Sequence, residues 1–206
     1  MAFYDPIKDR LKFVKSLTPT KLKALAGERV SDLVLRESVR SRKTVDDLQQ
    51  SYPSAGPREL AQRLIDNKKG IASMVGGVSG VFGVVTLPLD LVAMMYLQIM
   101  LLCDLATLYK VNLKTERARK ELVDLFGYSN GIGPATRSSP KVLGKVAAVL
   151  LEKGGLSTLG RAMPLIAAPI SAYLNNTHIQ KVGDEAVRHY SGFSRAHEKS
   201  KKAKPS

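Results

Sequence analysis

The sequence is poor in the residues that build disulfide, metal and redox sites. It contains one cysteine, three histidines and no tryptophan in 206 residues. A single cysteine, Cys103, cannot form an intramolecular disulfide, and its position in an apolar run predicts a buried thiol that packs as a small hydrophobic side chain. The three histidines do not have the spacing of metal ligands. We therefore expect no disulfide, no metal and no cofactor, in a reducing compartment.

Three further absences concern the fold and the class of protein. No stretch alternates polar and apolar residues as a half-buried strand does, so the expected fold is all-α. The glycine-rich stretch does not follow a strand and is not followed by Gly-Lys-Ser/Thr, which argues against a phosphate-binding loop. The first residues, MAFYDPIKDRLKF, carry charges where a signal peptide needs an apolar segment. No signal peptide is therefore expected.

Basic residues are absent from residues 70–109, although the chain carries 32 of them and a formal net charge of +14. Basic residues on both sides of an apolar stretch suit an anionic surface such as phospholipid headgroups, and a solvated basic surface is the alternative. Nucleic-acid binding is disfavoured, because the sequence has no aromatic platform and no recognisable nucleic-acid motif. The lysines expected to face lipid or another anion are Lys8, Lys12, Lys15, Lys68, Lys69, Lys110, Lys181, Lys201 and Lys202.

The uncharged stretch predicts a helical hairpin that organises the chain. Its first half has small residues at four-residue spacing, a pattern that lets two helices approach closely. Its second half restarts near Pro88, which is tolerated in a first helical turn, and is apolar on every side, as in a fully buried helix. The expected fold is a single-domain helical bundle around this long, apolar, glycine-rich hairpin (about residues 57–110), packed against a C-terminal helix (about residues 164–190). The glycines assigned to close packing are Gly76, Gly77, Gly80 and Gly83.

Breaks in composition divide the chain into three parts. Residues 1–56 are expected to form basic amphipathic helices, and the segment SYPSAGP at 51–57 separates them from the main domain. Residues 57–193 form that domain, and residues 194–206 are a basic tail with too little apolar surface to fold alone. The cations near the end of the helix before the break are interpreted as a solvated face: Arg36, Arg40, Arg42 and Lys43.

A few polar residues interrupt the apolar segments and are candidates for a functional site. A carboxylate enclosed in a core needs a partner, and no basic residue in the helix of Asp104 can supply one. An Asp–His pair in a dry site can perform acid–base chemistry, whereas the same residues can form a hydrogen-bonded network that fixes helix register. We prefer the network and assign no catalytic residue. The candidate polar cluster comprises Asp90, Gln98, Asp104, Asn175, Asn176 and His178.

The order of these motifs resembles the EcsC protein family. The glycine-rich helix is followed by LPLD at 87–90, LQ at 97–98 and ATLY at 106–109, and the C-terminal region contains PLIAAPISAYLN and KVGDEAVRHY. The resemblance covers roughly residues 57–193. The chain departs from the family pattern, where glycines are usual, at Ala167, Ala168, Pro169 and Lys110. The resemblance implies a bacterial source, an all-helical domain and a link to membranes or transport, but no reaction.

Three functions of different classes fit these observations. The preferred one is a membrane-associated, non-enzymatic, EcsC-like protein of the bacterial cytoplasm, peripheral to the inner membrane and accessory to a transport or secretion system. It would bind an anionic membrane surface or a membrane protein through the apolar hairpin, which meets or enters the bilayer, and through its basic flanks. A homo-oligomer is compatible with the sequence. The alternatives are a soluble helical bundle that binds a protein or an apolar ligand, and an enzyme that uses the Asp, His and Asn residues of the candidate polar cluster.

Overall fold

The computed structural model of the chain describes residues 30–82, 87–131 and 176–192, and for 75–82 and 87–91 it describes the backbone alone. Every regular element in these ranges is an α-helix, which confirms the all-α prediction. The helices are numbered α1 (Val30–Ser51), α2 (Pro57–Phe82), α3 (Leu87–Leu108), α4 (Glu116–Ser129) and α5 (residues 176–192).

Several predicted features lie outside the described residues. They are the helices expected before residue 30, residues 164–175 of the C-terminal helix and the tail at 194–206, together with Lys8, Lys12, Lys15, Gly83, Asn175, Lys201 and Lys202. For Asp90 in α3, and for Gly76, Gly77 and Gly80 in α2, the helical backbone is described and the surroundings are not. The close packing predicted for these glycines stays a prediction.

Local signals account for where the helices begin. α2 begins with Pro57, which fits the first helical position because that position needs no N–H donor. The turn between α1 and α2 is the break predicted at 51–57. At the start of α4, the Ala118 N–H donates a hydrogen bond of 3.3 Å to the Thr115 hydroxyl, which caps the helix. These two helix starts rest on local chemistry that does not depend on the rest of the fold.

The central helix is α3, which packs most extensively against α1 and α2 and also contacts α4. Every residue from 93 to 106 is buried, and Leu97, Leu101 and Leu105 have no exposed surface. The core around them includes Val34 of α1 and Leu64 of α2. Protein therefore surrounds this part of the apolar stretch. Among the helices within the described ranges, none has both the length and the apolar character needed to cross a bilayer.

The helix before the predicted boundary at residue 56 shares this core. Leu33, Val34, Val45 and Leu48 of α1 are buried in the same cluster as the side chains of α3. Successive members of this set are one, eleven and three residues apart, which places all four on one face of α1. The boundary thus coincides with a turn, but α1 is an integral part of the bundle.

Helix α5 packs closely on α2. Its buried residues Ile179, Val182, Ala186 and Tyr190 recur every three or four residues and form one apolar face. On the same side, a Cβ atom added to Gly183 would lie 2.6 Å from the Cγ1 atom of Ile65 in α2. Glycine at this position therefore allows a helix approach that any larger residue would obstruct.

Replacing Gly183 by alanine is expected to lower the free energy of unfolding by roughly 1 kcal/mol, because overpacking outweighs the gain in helix propensity. The matched control is Gly192→Ala in the same helix, where an added Cβ would meet nothing within 4 Å. Urea denaturation of both variants measures the difference. Ile65→Val in the Gly183→Ala background should recover part of the loss. An equal response of the two glycine variants would contradict the close packing.

The turn after α3 holds Lys110 in a left-handed backbone conformation, with φ at 63°. The Val111 N–H donates to the Ala106 carbonyl at 2.8 Å and the Lys110 N–H donates to the Thr107 carbonyl at 2.9 Å. This pair of bonds is the Schellman motif that ends many helices, and its left-handed position usually carries glycine. A lysine here departs from the residue that the backbone prefers.

Replacing Lys110 by glycine is expected to raise the free energy of unfolding by about 0.5–1 kcal/mol, because the left-handed strain of a non-glycine residue exceeds the entropic cost of glycine. Thermal or urea unfolding measures the change. Lys114→Gly is the control, since Lys114 is also exposed in this connection but does not have a positive φ. The control should be neutral or destabilising. A stabilised control, or a destabilised Lys110→Gly, would contradict the strain.

Candidate functional site

Charged and polar side chains from three helices meet in the core, where α1, α2 and α3 pack together. We call this group the ionic cluster: Glu37 and Arg40 from α1, Lys68 from α2, and Tyr96 and Asp104 from α3. Glu37, Lys68, Tyr96 and Asp104 are buried, while Arg40 lies half-buried at the edge. Two carboxylates face two cations, so the ionic cluster balances its own charge.

Asp104 is the centre of the ionic cluster. Its Oδ1 atom accepts a hydrogen bond of 2.7 Å from Nη2 of Arg40, and its Oδ2 atom lies 2.9 Å from Nζ of Lys68. Burial raises the pKa of Asp104, but the charges of Arg40 and Lys68 oppose this more strongly and hold the pKa below its usual value. Asp104 is therefore ionised at neutral pH and is paired from two other helices.

The α1 side of the ionic cluster is held by Glu37. Its two carboxylate oxygens accept hydrogen bonds of 2.7 Å from Nε of Arg40 and 2.7 Å from the Tyr96 hydroxyl. Burial and the neighbouring Glu37 charge both raise the pKa of Tyr96, so this hydroxyl stays protonated and donates. Arg40 also donates to the Thr44 hydroxyl at 3.1 Å. Two hydrogen bonds therefore link α3 to α1: Tyr96 to Glu37, and Arg40 to Asp104.

Two predictions about cations are wrong. Lys68 was expected to face lipid or an anion, but its side chain is only 3% exposed and pairs with Asp104. The sequence pattern indicated that Lys68 is buried, because apolar residues lie three and four positions away on both sides of it. They are Leu64, Ile65, Ile71 and Ala72. Arg40 was assigned to a solvated face, and it points instead towards Asp104. The electrostatic demand of a buried carboxylate overrides the usual preference of both cations for water.

The remaining anion-facing lysines that the structure describes lie at the surface. Lys110 and Lys181 are exposed and Lys69 is half-buried. Lys69 and Lys181 line one cleft of about 530 Å³ between α2 and α5, together with Arg188 and Asn176. The Lys69 ammonium group donates to Oε1 of Gln180 at 3.0 Å, which joins the two walls of the cleft. We call it the basic cleft.

The candidate polar cluster does not assemble as one group in the described residues. Gln98 accepts a hydrogen bond of 2.7 Å from Nδ2 of Asn130 at the end of α4, whereas Asp104 contacts α1 and α2. Asn176 lines the basic cleft, and His178 is half-buried on α5. Asp90 and Asn175 have side chains outside the described part. The contacts therefore divide the predicted set among different neighbours.

The ionic cluster links α1, α2 and α3 and is suited to holding these helices in register. Asp104 has no exposed surface, and Lys68 is almost as completely enclosed. Burial lowers the pKa of Lys68, although Asp104 opposes the shift. Burial also raises the pKa of the nearby Cys103 thiol well above its usual value, so this thiol is protonated and a poor nucleophile.

A polar contact between side chains also joins α5 to α4. His189 of α5 has its Nε2 atom 2.7 Å from Oε1 of Glu121 in α4. Among the described residues, no group of three or more His, Cys, Asp and Glu side chains could hold a metal ion. Helix α5 thus contacts α2 through a polar and an apolar pair, and α4 through the His189–Glu121 pair.

The comparison with known proteins covers helices α1 to α4 of the bundle and not α5. The model of the EcsC protein family matches residues 10–139, which is more than half of the chain. The chain belongs to the EcsC protein family. In this EcsC chain the match begins earlier than the resemblance at 57–193 and includes α1, the helix that shares the core. It ends at residue 139, so the C-terminal motifs of the resemblance lie outside it. No curated protein and no solved structure matches the chain.

The sequence identified Asp104 and its need for a partner, but not the partners. Glu37 and Tyr96 were also missed, and the buried stripe of α1 could have indicated Glu37, which follows Leu33 and Val34 by four and three residues. Tyr96 stands out as one of the few polar residues in the apolar α3, but nothing in the sequence places it beside Glu37. The ionic cluster of this EcsC protein therefore became visible only through helix packing.

Proposed function

We propose that this EcsC-family protein is a non-enzymatic protein that binds an anionic membrane surface peripherally, through cations outside its core. The distribution of charge carries the proposal. The described ranges hold 15 of the 32 basic residues and 13 of the 18 acidic ones, an excess of +2, and the remaining residues hold an excess of +12. A large positive excess in the chain, together with nearly balanced charge in the described helices, favours association with anionic lipid.

The burial of α3 supports peripheral rather than inserted binding. Residues 93–106 contact protein on all sides, and moving them into lipid would break the ionic cluster around Asp104. An ionised carboxylate is costly inside a bilayer. In the proposal, the apolar stretch builds the core and the surface cations meet the lipid headgroups.

The basic cleft also supports anion binding. Lys69, Lys181 and Arg188 bring three cations to one concave surface, whose lining also includes Asp184. Arg188 pairs with Glu185 at 2.8 Å. The sequence predicts that both Lys69 and Lys181 face an anion. Neighbouring cations attract phosphate groups more strongly than separated ones because their potentials add. The proposal places the protein at the cytoplasmic face of a bacterial inner membrane, and the family's link to transport favours an accessory role there.

Vesicle co-sedimentation tests the proposal. The protein is expected to sediment with vesicles that contain phosphatidylglycerol and to stay in the supernatant with pure phosphatidylcholine. Each near-surface Lys or Arg contributes about 1 kcal/mol, and screening lengths shrink to about 3 Å in 1 M salt. High salt should therefore release the bound protein. No binding to anionic vesicles at low salt, or binding that only detergent reverses, would contradict peripheral attachment.

A further inference from the structure

The outer face of α1 exposes aliphatic side chains. Leu35 is 44% exposed and Val39 is 69% exposed, and Tyr128 on α4 is the other large hydrophobic side chain exposed in the described ranges. Leu35 and Val39 are four residues apart and so are neighbours on the helix surface. Their exposure concentrates apolar area at one place on the outer side of α1.

Cations surround these two aliphatic residues. The surface neighbours of a helical residue lie three and four positions away, and for Val39 these are Leu35, Arg36, Arg42 and Lys43, of which the three cations are exposed. The exposed acids of this face, Asp32 and Asp46, lie seven residues from Val39 on either side, about 10 Å along the helix axis. We call Leu35, Arg36, Val39, Arg42 and Lys43 the α1 outer face.

We propose that the α1 outer face is a surface that contacts anionic lipid, an inference that rests on the proposed function and assigns it a location. An apolar stripe flanked by cations is the pattern of helices that lie in a membrane interface. Val39 and Leu35 enter the boundary between headgroups and acyl chains. Arg42 and Lys43 keep their charges at the phosphates while their alkyl stems lie along the apolar surface.

The charge pattern favours a membrane over a second copy of the chain. Two α1 outer faces placed together would oppose their own cations, whereas an anionic bilayer neutralises them. The described surface also offers a contrasting region. Tyr128 lines a cleft that holds three carboxylates, Glu121, Asp124 and Glu185, beside Arg188 and His189. Its acidic residues outnumber its basic ones, which disfavours contact with an anionic membrane.

Tryptophan fluorescence tests the location, because the chain contains no tryptophan and one substitution therefore provides a unique probe. Val39→Trp is expected to shift its emission to the blue when phosphatidylglycerol vesicles are added. Tyr128→Trp, also at an exposed position, is the matched control and should not shift. Both variants replace exposed side chains, and circular dichroism verifies that each keeps the helical fold.

Charge substitutions provide a second measurement. Arg42→Gln combined with Lys43→Gln should weaken binding to these vesicles about 25-fold, or about fivefold for each cation. Lys114→Gln combined with Lys120→Gln removes the same charge from exposed positions elsewhere and should weaken binding less than threefold. Arg36 is left in place because its Nε atom lies 3.7 Å from Glu37 in the ionic cluster.

The outcomes separate the location from the function. If the wild-type protein does not bind anionic vesicles, both proposals fail. If it binds but Tyr128→Trp shifts and Val39→Trp does not, or the two charge pairs weaken binding equally, the α1 outer face is the wrong location and the proposed function stands. A shift of Val39→Trp that depends on protein concentration without vesicles would indicate self-association and would overturn the lipid assignment.

Discussion

Replacing Asp104 by asparagine is expected to lower the free energy of unfolding by about 3–5 kcal/mol, because removing one member of a buried ion pair leaves Lys68 buried without its carboxylate partner and leaves Arg40 with Glu37 alone. Arg40 and Lys68 would face each other across a neutral amide in a site where neither can be fully hydrated. The stability of a typical domain is only about 5–15 kcal/mol, so the variant would lose a large fraction of it. Urea denaturation followed by circular dichroism measures the loss.

The control for this prediction is Asp46→Asn, which removes the same charge from an exposed position of α1. Surface substitutions of this kind usually change stability by less than about 0.5 kcal/mol. Equal losses in the two variants would show that Asp104 acts only through the net charge of the protein. A more stable Asp104→Asn would mean that the cost of burying the charge exceeds the gain from its two partners.

The pH dependence of this loss has a definite sign. The pKa of Asp104 is lowered in the folded protein, so its ionisation contributes stability that is present above the unfolded value of about 3.9 and is lost as the pH falls through the folded value. The difference between the wild type and Asp104→Asn should therefore be largest near neutral pH and shrink below about pH 4. Denaturation at three pH values measures it. A constant difference would contradict the lowered pKa.

Replacing Lys68 by methionine is expected to lower the free energy of unfolding by about 2–4 kcal/mol, because Asp104 would keep Arg40 as its remaining cation while buried on all sides. Methionine keeps the length of the lysine side chain, so the change isolates the charge. The adjacent residue supplies the control. Lys69 is half-buried and its closest carboxylate contact, with Asp66, is 3.6 Å, so Lys69→Met should cost less than about 1 kcal/mol.

A double-mutant cycle separates the Lys68–Asp104 contact from other effects. The two single variants each leave a partner charge unbalanced, whereas the double variant removes both charges of the pair. Residues in direct contact usually show a coupling energy of about 0.5–3 kcal/mol, and the loss in the double variant should be smaller than the sum of the single losses by such an amount. Additive losses would indicate that Lys68 and Asp104 act independently.

The helices and their ends could be predicted because they depend on residues close together in the chain. Pro57 opens α2 for reasons that concern its own backbone, and the apolar character of α3 predicted its burial. The partners of Asp104 could not be found in this way. Arg40 is 64 residues away in sequence, and nothing in the local pattern distinguishes it from Arg42, which is exposed. The sequence pattern around Lys68 indicated that it lies on a buried stripe of α2. Lysine is so rarely buried, however, that its residue type argued against burial.

The sequence by itself determined an all-helical EcsC-family chain with an apolar central helix and a strong positive excess. Tertiary structure decided what surrounds that helix. Because α3 is apolar on every side, its apolar pattern does not set its rotation or its neighbours, and lipid would satisfy the same pattern. The polar positions set them instead: Asp104 and Tyr96 orient α3 towards the cations and carboxylate of its neighbours, and Gln98 orients the other side towards Asn130. Ionic contacts need partners at distances near 3 Å, and only the packed helices bring them there.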